Sequence, residues 1–157
     1  MPHVFLDGFA KPLLVLHALA AFALCGACTH QAIIGVGLWR GRLHLGRQAR
    51  IYAQLIGALF IVAFGVGLLM YPHYRYHVRG LFLDRYEPWA SNLFDMKENL
   101  LALALPFAVC LFAIGRRFDP REEPVLIPFF ALASLALWAL VTFGVVSGVV
   151  ITSVRGV

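Results

Sequence analysis

Charge is the scarcest commodity in this sequence. Only 13% of its 157 residues are Asp, Glu, Lys or Arg, against 61% apolar. A soluble domain carries about twice that share of charge, so a water-soluble globular protein is excluded. The mean hydropathy of +0.82 agrees. Cysteine is scarce too, with three in the chain, which excludes a disulfide-stapled secreted scaffold. Low-complexity tracts, long internal repeats and lipidation motifs are absent. The net charge of +5 is spread over loops and leaves no basic face to track a phosphate backbone. Nucleic acid is therefore not a partner, and membrane lipids with anionic headgroups are.

What the chain has is apolar length. Four segments reach the roughly 20 residues that cross a bilayer: 12–39, 51–71, 96–115 and 125–152. Little chain lies outside them. The expectation is one integral membrane domain over 1–157, all-α, folded as a four-transmembrane-helix up-down bundle. A cleaved signal peptide is not expected, because "MPHVFLDGFAK" lacks a basic cluster and the apolar run behind it is too long.

"RGRLHLGRQAR" (40–50) holds four arginines and no acid, and "GRRFDPREEP" (115–124) holds three more. The positive-inside rule puts these loops in the cytoplasm, which leaves both termini outside a bacterial inner membrane. The one sizeable connection, "YPHYRYHVRGLFLDRYEPWASNLFD" (71–95), is rich in Tyr, Arg and His. It reads as an interfacial helix or ordered loop between helices 2 and 3, with Pro72 opening a short helix.

"CGACTH" (25–30) concentrates two cysteines and a histidine in the first span. It misses the C-x-x-C-H haem-attachment pattern by one residue. The thiols lie too deep for thiolate redox work. As metal ligands they diverge: His30 is ~160° around the helix from Cys28. The remaining reading is a small-residue patch for helix packing, and "GVVSG" (144–148) is a similar device on the fourth helix. His30 and Gln31 are nevertheless costly polar groups in an apolar span. With Gln54 on the second helix they form a candidate inner polar cluster.

His17 and His30 are 13 residues apart, ~140° around a helix, so they do not build a two-haem column. A single site at the other end is the alternative. His17 lies near the start of the first span; His73 and His77 share a face after the second. One of them together with His17 offers axial imidazoles for haem b, and Arg75 and Arg79 offer partners for propionates. The same groups suit a quinone headgroup, a transition metal or lipid phosphates. "DMKEN" (95–99) reads as a capped helix start, with Lys97 and Glu98 pulled toward the same site. The functional expectation is a small electron-transport component that binds haem b or a quinone. The alternative is a cofactor-free accessory subunit of a larger membrane complex. Other membrane subunits or further copies of the chain are expected partners. A transporter is a third option, held back because four helices without a repeat give no alternating-access pair.

Overall fold

Backbone groups in hydrocarbon have no water to bond, so each apolar run closes its hydrogen bonds as a helix. The computed structural model describes residues 6–156. Helix α1 covers Ala10–Trp39, α2 Gly46–His73, α3 Pro88–Gly115 and α4 Leu126–Val154. All four are long and apolar enough to span a membrane, and no strand occurs among the described residues. The protein is an all-α integral membrane protein. Residues 1–5, which bear on signal cleavage, lie outside the described residues.

Helix α1 packs on α2 and α4, and α3 packs on α4 and α2. Successive helices are therefore neighbours around the bundle, the up-down arrangement. The shared core draws Leu24 and Cys28 from α1, Ile56 and Phe60 from α2, Leu111 from α3, and Phe130 and Leu137 from α4.

One end of the bundle is closed by the two arginine-rich turns. Gly41 takes φ +84°, a left-handed conformation that favours glycine, as α1 turns toward α2. The 116–125 connection is pinned from inside. Phe118 is fully buried and stacks on Phe130 with ring centroids 4.6 Å apart. Pro120 covers Gly46 so closely that a Cβ there would lie 2.6 Å from its ring.

The opposite end differs from the expected layout in detail. The 71–95 segment is helical on both sides of Glu87, but it lengthens α2 and α3 instead of forming a separate interfacial element. Pro72 lies inside α2, and the chain runs on as a π-helix over Tyr74–Leu83 and a last turn over Asp84–Tyr86. Proline removes a backbone donor and crowds the preceding turn, and a wider i→i+5 winding is one way for a helix to absorb this. The break falls at Glu87, and Pro88 opens α3, where its missing N–H costs nothing. Helix α3 thus starts eight residues before the expected position 96.

The two arms form one antiparallel hairpin, tied at four levels. Gln54 meets Phe112, Tyr74 meets Phe94, Arg79 meets Asp95 and Asp84 meets Ser91. The continuous helix Leu43–Tyr86 has 44 residues. At about 1.5 Å per residue it is roughly twice the ~30 Å hydrocarbon thickness, so its far part stands clear of the apolar core. That part has its own small core of Tyr74, Val78, Leu83, Ala90, Phe94 and Ile151. The last turns of α4 therefore brace the hairpin.

Candidate functional site at the hairpin end

Depth follows from counting away from the arginine end. About 20 helical residues cross the hydrocarbon. Starting from Arg40, Arg50 and Arg116, that distance ends near Ala20 on α1, Met70 on α2 and Met96 on α3. His17, Tyr71, Lys97 and Glu98 consequently sit at the far boundary, where water and headgroups begin. The hairpin tip lies beyond it.

Charges gather at this boundary. Arg79 donates from Nη1 to Asp95 Oδ1 at 2.5 Å and from Nη2 to Asp95 Oδ2 at 2.9 Å. Its Nε lies 3.5 Å from Asp84 Oδ1, and Asp84 in turn accepts from the Ser91 hydroxyl. Lys97 Nζ rests 4.8 Å from the centre of the Phe94 ring, an arrangement in which the ring face attracts the cation. Glu98 is within electrostatic reach of Lys97, Asp95, Arg79 and Arg75. Arg75 donates to the Tyr71 hydroxyl at 2.7 Å. Tyr74 is buried beneath the cluster, stacked on Phe94, with its hydroxyl unpartnered among the described residues.

Of the residues singled out from sequence, Arg75, Arg79, Lys97 and Glu98 are brought together here. His17 approaches from α1. Its Nδ1 lies 2.9 Å from the Ala63 carbonyl oxygen, its ring presses against Gly67, and Lys97 is within electrostatic reach. The rings of His73 and His77 lie against each other at a tilt of 34°, with centroids 4.7 Å apart. The hairpin register carries them roughly two to four turns past the Ala63–Gly67 level where His17 docks. Asp95 is a correction: it does not start a helix but stands inside α3 and holds Arg79. No group of three or more His, Cys, Asp or Glu side chains suited to a metal occurs among the described residues.

The inner polar residues separate onto different interfaces. His30 is exposed and stacks on Tyr52, with ring centroids 5.3 Å apart. Gln54 donates from Nε2 to the Phe112 carbonyl at 3.0 Å and so ties α2 to α3. Gln31 is 0% exposed, and neither its Oε1 nor its Nε2 has a partner among the described residues. An unsatisfied buried amide costs about 1–3 kcal/mol, so this group is the main polar anomaly inside the bundle.

The cysteine stretch is a packing seam between α1 and α4. Cys28 is buried and Cys25 Sγ lies 3.6 Å from Thr142 Oγ1. Thr29 donates to the Cys25 carbonyl at 2.9 Å and receives the Trp138 indole N–H at 3.2 Å. Both thiols are free. The glycine step on α4 is used by half: Gly144 packs against Leu101, while Gly148 faces open space.

Comparison with known proteins adds one likeness. The chain is 27% identical over 147 residues to a probable multidrug resistance protein NorM of Synechocystis sp.. The match covers 87% of this chain and 31% of the relative, so the chain spans about a third of that protein's length. No family model matches the chain. No solved structure is similar to it either. The likeness corrects the expectation of an electron-transport component that binds haem b or a quinone, because the relative is named as a probable multidrug resistance protein. Histidine content had carried that expectation, and histidine at a membrane boundary does not single out redox chemistry.

Proposed function

We propose that this chain is a membrane-transport component that moves drug-like organic molecules and works as an assembly. The observation that carries the reading is the likeness to the multidrug resistance protein along nearly the whole membrane-spanning length. Four helices without a repeat lack an alternating-access pair, and the chain spans about a third of the relative's length, so the pathway needs membrane-spanning helices beyond these four.

Two features support the reading. Gln31 is a polar group inside the bundle with unused hydrogen-bonding capacity, and such groups mark substrate routes through membranes. The cluster of Arg75, Arg79, Lys97 and Glu98, flanked by His17, His73 and His77, supplies a charged mouth at the water boundary. In this reading the mouth receives the substrate and Gln31 offers the polar step within, with His30 beside it on α1 and Gln54 closer to the arginine end. The positive-inside rule puts the arginine turns in the cytoplasm of a bacterial inner membrane and the hairpin outside.

Expression in a drug-sensitive bacterial host tests the reading. Raised resistance to several chemically unrelated drugs, lost in Gln31→Leu at equal membrane abundance, is the expected result. Unchanged susceptibility across the panel with protein present in the membrane counts against it.

A further inference from the structure

A groove of about 310 Å³ runs along the lipid-facing seam between α1 and α4. Ala32, Ile33, Val36, Leu135 and Trp138 form its walls. Arg40 and Arg42 stand at one mouth, and Thr29 closes the other end where it receives the Trp138 indole N–H.

Three properties define what fits. The first is length. Eleven residues separate Thr29 from Arg40, a rise of about 16 Å, which is half of a ~30 Å hydrocarbon core and thus the depth of one leaflet. The second is polarity. The walls are apolar and the charge sits only at the headgroup end. The third is unspent charge. Both arginines are exposed, neither makes an ion pair with a described residue, and the 40–50 turn contains no acid. A guanidinium is a strong bidentate partner for phosphate.

We infer that this groove is a binding site for one anionic phospholipid of the leaflet at the arginine end. Its phosphate lies on Arg40 and Arg42, and one acyl chain lies along Ile33, Val36 and Leu135 to the Trp138–Thr29 contact. A neutral headgroup leaves the two cations uncompensated, so the site selects by net charge. The inference stands on the groove alone and is independent of the transport reading.

Native mass spectrometry of the full chain in mild detergent, titrated with phosphatidylglycerol or phosphatidylcholine, tests it. One retained phosphatidylglycerol per chain is expected, with about tenfold less phosphatidylcholine at equal concentration. Arg40→Gln with Arg42→Gln removes the preference between the two lipids. Val36→Trp fills the groove, keeps both arginines and also loses the adduct. A second readout uses a chain with Trp39→Phe and Trp89→Phe, in which Trp138 is the sole tryptophan and is excited selectively. Phosphatidylglycerol brominated along its acyl chain quenches that emission more strongly than brominated phosphatidylcholine. Equal retention of both lipids by the unsubstituted chain overturns the inference. So does full phosphatidylglycerol retention by the double arginine variant.

Discussion

Arg79 and Asp95 join the two arms of the hairpin through paired contacts, Nη1 to Oδ1 at 2.5 Å and Nη2 to Oδ2 at 2.9 Å. One residue belongs to the π-helical extension of α2 and the other to the interior of α3. The pair locks their register above the hydrocarbon and orients the neighbouring Lys97 and Glu98. Its side chains are 21% and 45% exposed, so solvent screens it in part.

Asp95→Asn therefore lowers stability by about 1 kcal/mol, the upper range for a partly exposed pair. For a chain of this size that is about 2–4 °C in thermal midpoint. Thermal unfolding in detergent measures it. Arg79→Gln is expected to give a similar loss, and the two losses together fall short of additive because both remove one interaction.

Glycine substitutions separate close packing from open surface. A Cβ on Gly115 collides with that of Ala53, whereas one on Gly148 meets nothing within 4 Å. Gly115→Ala is expected to cost about 1–3 kcal/mol through forced separation of α2 and α3. Gly148→Ala is neutral or stabilising by up to about 1 kcal/mol, since it lowers the freedom of the unfolded chain. Thermal midpoints of the two variants side by side check the contrast.

Much of this architecture was legible in the residues. Apolar length located the four spans, and the arginine turns located their shared end. The hairpin was not legible because Pro72 reads as a helix boundary and "DMKEN" reads as a helix start. Two signals pointed the other way. Tyr71, Tyr74, Val78 and Phe82 repeat at helical spacing on one stripe, and Pro88 after Glu87 is a good first position for a helix. Asp95 went unrecognised as a site residue because its partner Arg79 is brought near only by the hairpin fold. Gln31 stood out as polar in an apolar span, but its lack of partners is a property of packing that no sequence pattern records.

Cysteine replacement tests the packing account of α1. Cys25→Ala with Cys28→Ala is expected to lower stability by about 1–2 kcal/mol through small cavities at the α1–α4 seam. Drug resistance in the host is retained. Loss of resistance with normal membrane abundance points to thiol chemistry instead.

Sidedness is tested by cysteine labelling in a chain with its native cysteines removed. Single cysteines at His44 and Asp119, one in each arginine turn, should stay unlabelled by a membrane-impermeant maleimide in intact cells. A cysteine at Arg85 on the hairpin should label. Labelling at position 44 or 119 reverses the orientation.

The transport reading is tested most directly by reconstituting the purified chain into sealed liposomes and following a fluorescent drug-like dye such as ethidium across the membrane. The expected result is dye movement that exceeds protein-free liposomes, grows faster than linearly with protein-to-lipid ratio because an assembly forms the path, and is abolished by Gln31→Leu. That variant should also be more stable than the parent by about 1–3 kcal/mol, since an unsatisfied buried amide is removed. Dye movement no faster than in protein-free liposomes at every protein-to-lipid ratio, from protein that is folded and inserted, contradicts the account.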